Sequence, residues 1–477
     1  MFITMLQRRD FHILDKDLAR LTHAEGASRV AARPLRRGGL VLGLILLALL
    51  AGAIAGIGVP AEAPVIAGFS VAIYLGLNIG ANDVANSVGP ASGARALPVG
   101  TGLAIVALAQ LAGALLAGEA VTATIAREIL PAGRMSMDVR PAQIMTSALI
   151  GAALWITLAN WARAPVSTTH SIVGAIAGAG MAGAGPHAIS WGIILGITLS
   201  WMIAPLIAAM IAALVLGLVR WRVHFTRDRI AAARVWLPAL IGMTAMIFTL
   251  YLVSLSGQPA LTEKVMLISA GPGLLSGLLA RWHLERQIIA QGRDRLSLKD
   301  LLTVPLIVTT ILSGFAHGAN DVANIAGPLS ILLENTVPGT FSLRIIALAA
   351  ISVAAGSLIF GRRLVRLVGT SITRLNPIRA FCAALAAAAT VLACSALGIP
   401  VSTTHCAVGG IFGVGFYREW EDRWLRKSRK TLPTEEMQRR RLVRRSHVWT
   451  SLAAWAVTVP GAGMAAAATY GLLSLTH

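Results

Sequence analysis

Apolar runs of about twenty residues, the helix length that crosses a bilayer core, alternate with short polar breaks through most of this chain. The first run, "GLVLGLILLALLAGAIAGIG", occupies Gly39 to Gly58. Setting runs against breaks predicts an all-α membrane protein with about 13 transmembrane helices. The spans fall at 39–58, 64–88, 98–118, 141–161, 166–184, 188–219, 235–254, 262–280, 301–326, 341–360, 379–398, 402–417 and 447–473.

Composition agrees with that reading. Of 477 residues, 56% are hydrophobic and 13% charged, whereas soluble domains carry charge at about a quarter of positions. The 47 glycines suit membrane helices, where small residues let backbones approach. The formal charge of +20 changes the picture only through its distribution. Basic residues gather in breaks such as "RWRVHFTRDRIAAAR" (220–234), 281–299, "GRRLVRLVGTSITRLNPIR" (361–379) and 418–446. All of these fall on one side of the predicted membrane, as the positive-inside rule requires. The rule places residues 1–38 as a basic cytoplasmic tail and the carboxyl terminus outside. It predicts a multi-pass protein of the plasma membrane, a bacterial inner membrane in type. No nucleic-acid-binding motif accompanies the charge, so nucleic acid is not an expected partner. Cys382, Cys394 and Cys406 have no metal-ligand spacing and read as packing residues.

Two polar strings recur inside the apolar runs. "GANDVAN" occupies Gly80–Asn86 and again Gly318–Asn324; "APVSTTHSIVGAIAG" (Ala164–Gly178) is answered by "IPVSTTHCAVGGIFG" (Ile399–Gly413). Asp83 and Asp321 are 238 residues apart, Ser167 and Ser402 235. Near-equal offsets imply duplication of a whole unit. In the charge-based topology the first GANDVAN span runs inward and the second outward, so the repeats are expected to be inverted, a plan common among secondary transporters. The chain then divides into transport repeat 1 (64–184), connecting helices and basic loops (188–300), transport repeat 2 (301–417), a basic loop (418–446) and a C-terminal span (447–477), after the tail (1–38) and an added span (39–58).

Each string has a chemistry. On a helix, Asn82, Asp83 and Asn86, like Asn320, Asp321 and Asn324, share one face. One carboxylate and two amide carbonyls make a compact set of hard oxygens suited to an alkali cation or a proton. Gly80, and the Gly-Pro pairs 89–90 and 327–328, are expected to weaken the helix on either side and expose carbonyls there. Pro165 and Pro400 suit a turn opening a new helix. Ser167 and Ser402 follow as N-caps, with Thr168, Thr169, Thr403 and Thr404 in the first turn. Hydroxyls and unpaired N–H groups at the positive helix end form an anion site without lysine or arginine. The competing reading, an aspartate that merely bonds a neighbouring helix, is weakened by the duplication, since intramembrane carboxylates are functional candidates by default. The hydroxyls taken singly often back-bond to their own helix. His170 and His405 read as interior hydrogen-bonders before proton carriers, and His317, present in one repeat only, as structural.

Through these residues, with "SGFAHGAND" before the second copy and "GRRLVRLVG" after the tenth span, the chain resembles the PiT family of inorganic phosphate transporters over about residues 64–475. The resemblance implies a 12-helix core plus one N-terminal span, broken or re-entrant helices at the site, and a symporter importing inorganic phosphate with sodium ions or protons. It implies that Asn82, Asp83, Asn86, Asn320, Asp321 and Asn324 hold the cation. Ser167, Thr168, Thr169, Ser402, Thr403 and Thr404 would contact phosphate together with Asp83 and Asp321. Many sodium-coupled members carry glutamates where this chain has Gln110 and Ala384, which bears on the coupling ion; Gln110, His170 and His405 form a second tier. No enzyme activity, cofactor or metal other than sodium is expected. Expected partners are phosphate, the coupling cation and the lipid bilayer, with a homodimer left open. A sulfate or other tetrahedral-oxyanion permease of the same fold is the alternative. An intramembrane hydrolase using Ser167 or Ser402 with a nearby histidine, such as His170 three residues after Ser167, is the distant rival.

Overall fold

Every regular element among the described residues is helical. The computed structural model describes residues 63–136, 139–162, 166–257, 262–292, 296–333, 343–372, 376–426 and 445–475, together with Gly43. The expected tail 1–38, the added span 39–58 apart from Gly43, Pro165 and most of the basic loop 418–446 lie outside the described residues.

The long helices are α1 (Ala63–Gly93), α2 (Val99–Ala117), α3 (Pro141–Ala162), α4 (Thr168–Ala184), α5 (Trp191–Val219), α6 (Arg229–Ser254) and α7 (Glu263–Gln291). They continue as α8 (Thr303–Asp321), α9 (Ala323–Leu332), α10 (Leu343–Ile372), α11 (Pro377–Ala396), α12 (Thr403–Arg426) and α13 (Arg445–Ser474). Local chemistry starts several of them. The Asp228 carboxylate accepts from the Ala231 N–H at 3.0 Å to open α6. Asn376 accepts from the Ile378 N–H at 3.1 Å to open α11, with Pro377 in the first turn, where a missing N–H costs nothing.

Ten stretches among the described residues are long and apolar enough to cross a membrane, with α8 and α9 counted as one. The expected spans 166–184 and 402–417 are helices but not among the ten. Helix α4 has 17 residues, and α12 carries charges in its second half. Both begin at serines only 4% exposed, so they start inside the protein rather than at its surface. Another difference concerns the helix breaks. Helix α1 runs unbroken through Asp83 and Pro90; in the second copy the helix is interrupted at Val322, whose carbonyl accepts from both Ile325 and Ala326 N–H.

The helices pack in matched pairs. Helix α1 lies along α10 and α8 along α2, so the helix bearing each GANDVAN string packs on a helix of the other half. Helices α3 and α4 pair as α11 and α12 do, and α4 meets α13 as α12 meets α5. Helices α6 and α7 form a hairpin of their own. Their apolar windows are 22% buried against 72% for α8–α9, which puts the hairpin at the periphery and the second GANDVAN string at the centre.

Glycine sets the closest approaches, and they too come in pairs. A Cβ on Gly80 would meet the Val353 carbonyl of α10, and one on Gly318 the Gln110 carbonyl of α2. Gly174 and Gly409 likewise press on the carbonyls of Val459 (α13) and Pro205 (α5). Gly80 therefore does not weaken α1; its missing side chain lets the α10 backbone in. A Gly80→Val or Gly318→Val substitution is expected to push these pairs apart at about 1–3 kcal/mol, the usual cost of overpacking, read as a lowered thermal midpoint in detergent.

Candidate functional site

The site grows from the first turns of α4 and α12. Ser167 and Ser402 sit in their expected places, each hydroxyl oxygen accepting from the N–H three residues on, His170 and His405, both at 3.3 Å. Capping occupies one lone pair of each serine and leaves its O–H free to donate. One threonine of each run, Thr169 and Thr404, faces the opposite half. Asn86 Nδ2 donates to Thr404 Oγ1 at 3.2 Å, and Asn324 Nδ2 donates to Thr169 Oγ1 at the same 3.2 Å. Thus the first GANDVAN string meets the second hydroxyl run, and the second string meets the first run.

The carboxylates lie within this crossing. Thr404 Oγ1 donates to Asp83 Oδ1 at 3.3 Å and Thr403 Oγ1 to Asp321 Oδ2 at 3.1 Å. Asp83 is 7% exposed and Asp321 1%. A buried carboxylate needs such donors, because desolvation without compensation costs several kcal/mol. The Asn324 side chain is 2% exposed, and nothing among the described residues donates to its Oδ1. An orphaned buried carbonyl oxygen on the same string as Asp321 is a ligand type suited to a hard cation.

The two halves then diverge. Asn320 is fully buried, and its amide forms a two-point clamp on the chain before α12. Nδ2 donates to the Val401 carbonyl at 2.6 Å while Oδ1 accepts from the Val401 N–H at 3.1 Å. Nδ2 also lies 2.8 Å from Asp321 Oδ1. Asn82, its counterpart, is exposed and is not drawn into the cluster.

The second-tier residues take separate places. The His170 ring stacks on Trp201 with centroids 3.7 Å apart and meets His405 edge-on at 4.7 Å, while the Trp201 indole N–H donates to the Pro400 carbonyl at 2.9 Å. The Ser167 hydroxyl accepts from the main chain of His170, whereas the imidazole lies against the indole. Gln110 is buried, with Ser357 Oγ at 2.9 Å from its Oε1 and 3.0 Å from the Gly80 carbonyl. His317 Nδ1 lies 3.1 Å from Ser87 Oγ. Motif reading missed Trp201, Ser357 and the Val401 backbone. Only Trp201 left a signal, an N–H-bearing ring inside an aliphatic run that must find an acceptor when buried.

Residues 79–466, which contain both copies of each string, match the phosphate transporter family over that length. The chain belongs to that family. Its members are transporters rather than enzymes. A protein named "Putative phosphate permease" in Helicobacter pylori (strain ATCC 700392 / 26695) is 37% identical over 348 residues, 70% of this chain and 65% of that protein. The match thus spans just under two-thirds of that relative's length. A similarly named protein of Pyrococcus abyssi is 31% identical over 394 residues, 81% of this chain and 92% of its own. Among solved structures, a sodium-dependent phosphate transporter superposes with a TM-score of 0.75 at 30% identity, covering 87% of this chain and 100% of that one.

Removing either cap tests the serine geometry within this family fold. Ser167→Ala and Ser402→Ala are each expected to cost about 1 kcal/mol, with Asn in place of Ser restoring most of it. Thermal unfolding of the purified variants measures this.

Proposed function

We propose that this chain is a secondary active symporter that imports inorganic phosphate together with sodium ions or protons across the plasma membrane. The observation that carries the reading is the crossed pairing, Asn86 to Thr404 and Asn324 to Thr169, which joins each acidic string to the opposite hydroxyl run, while both carboxylates accept from the first turn of α12. The names and family of the relatives support phosphate as the substrate. The matched packing of α1–α5 against α8–α13 supports two repeats, read as inverted because the loop charges orient their first helices oppositely. On the same argument the basic segments 220–228 and 418–426 face the cytoplasm, and import follows the inward cation gradient.

Coupling follows from competition for lone pairs. Thr403 and Thr404 donate to Asp321 and Asp83. A cation held by those carboxylates and by Asn324 Oδ1 takes over the same oxygens, and the threonine hydroxyls turn to an anion instead. Ser167 and Ser402 add their free O–H groups, and the N-termini of α4 and α12 add partial positive charge. The anion and the cation thereby each make the site better for the other, which is the thermodynamic content of symport. Phosphate at neutral pH keeps a hydroxyl that can donate to a carboxylate; sulfate does not. This favours phosphate over the sulfate reading wherever Asp83 or Asp321 accepts directly.

Uptake of labelled phosphate into proteoliposomes with an imposed sodium or proton gradient is the test. Asp83→Asn and Asp321→Asn are each expected to assemble normally yet fall to the background of protein-free liposomes; normal uptake by both variants removes the carboxylates from the mechanism. Unlabelled sulfate in excess is expected to leave phosphate uptake unchanged, and strong competition would point to a broader oxyanion permease.

A further inference from the structure

Beside the crossed pairing lies a cavity of about 60 Å³, enclosed by α1, α8, α11 and α12. Its polar lining is Asn86 and Thr403 of the site, with His317 and Ser313 farther back on α8. Farther along, its walls are small: Ala380, Ala384 and Ala387 on α11, and Ala407 followed by Ile411 on α12. Thr403, Ala407 and Ile411 recur every four residues and so share one helix face. The hollow therefore follows α12 for roughly 12 Å from the hydroxyl cradle, toward the end where α11 begins.

Charge waits at that end. Glu421 is held by Arg220 Nε at 2.6 Å and by Arg418 Nη1 at 2.8 Å. Both arginines are near enough to repel Arg379, in the first turn of α11 beside Ala380. Arg418 comes two helical turns after Ile411, on the same face of α12. Three arginines against one glutamate leave the mouth of the hollow positive.

The other half of the molecule shows that this space is specific. Offsets of 238 residues for α1 and α8 and 235 for α3–α4 and α11–α12 relate its lining to a second set of positions. Ser313 and His317 correspond to Leu75 and Ile79; Ala384, Val391, Ala407 and Ile411 correspond to Leu149, Ile156, Ile172 and Ile176. All six of those counterparts are branched aliphatics, none more than 3% exposed. Four of the six pairs exchange a small or polar side chain for a branched aliphatic, while Ala383, Ala387 and Ala388 keep alanine at Ala148, Ala152 and Ala153.

We propose that the alanine-walled cavity is the path by which the anion passes between the site and the side of the basic loops, and that Ala384 and Ala407 set its bore. The proposal rests on the reading of the site as an anion carrier and adds a route and an exit charge. Most of the lining along the hollow is methyl groups, with Ser313 and His317 on α8 as the polar side chains beyond the site. The arginine mouth lowers the energy of an anion that has left the hydroxyls behind.

A variant carrying the opposite half's residues, Ala384→Leu with Ala407→Ile, fills the hollow. Labelled-phosphate uptake by this variant is expected to fall at least about tenfold, while phosphate still raises its thermal midpoint, because the site keeps its other approach. Uptake at the unaltered rate overturns the proposal. Ala387→Cys supplies a readout that does not depend on filling. A charged methanethiosulfonate is expected to modify it from the basic-loop side of oriented vesicles, faster than it modifies the native cysteines. The reaction should block uptake and slow when phosphate is present. Equal reaction from both sides, or full modification with uptake intact, overturns the path. If the unaltered chain moves no labelled phosphate, the carrier reading itself falls, whereas uptake by the unaltered chain alongside indifferent variants removes the path alone.

Discussion

Two carboxylates withdrawn from water dictate the arrangement around them. Asp83 and Asp321 cannot stay ionised in a protein interior unless donors reach them, and in this molecule one donor for each comes from the first turn of α12. That demand accounts for the start of α12 deep in the fold at a capping serine, and α4 begins at a buried serine in the same way. It also explains why the two halves interpenetrate. Each GANDVAN helix packs on a helix of the other half, and the glycines at 80 and 318 are there to admit a foreign backbone.

Identical strings end in unequal surroundings. Asn320 is locked onto both polar groups of Val401, while Asn82 faces outward. The helix is continuous through the first string and interrupted at Val322 in the second. The helix pairings are matched between the two halves but the polar detail is not, and the hollow flanking Thr403 continues the same inequality. A site of this kind presents one stiff wall and one accessible wall to whatever enters it.

Much of this was legible in the residues alone. The duplicated strings and their near-equal offsets announced a repeated unit, and the proline-serine-threonine order announced two capped helix starts, both of which formed. The cross-partnering was not legible, because nothing in the spacing of Asn86 and Thr404, 318 residues apart, distinguishes a contact across halves from one within a half. Gly80 was misread as a helix weakener since a glycine's role is decided by what approaches it, and the approaching Val353 belongs to a distant segment. The starts of α4 and α12 at buried serines were not legible either, because apolar length says nothing about where a helix begins. The divergence of Asn82 from Asn320 had no sequence signal either; the two strings are letter-for-letter the same.

The exchange of partners between α1–α10 and α8–α2 reaches back to how the molecule is made. When the ribosome has finished α2, the Gln110 backbone is ready to receive Gly318, but Gly318 is still about two hundred residues from being synthesised. Neither half can close its own interior, so each emerging segment must wait in the lipid with glycine grooves unfilled until its counterpart is inserted. Such long-range interlocking makes assembly slow and ties it to completion of the chain. A nascent chain stopped after α7 would hold one acidic string, one hydroxyl run and no means of joining them.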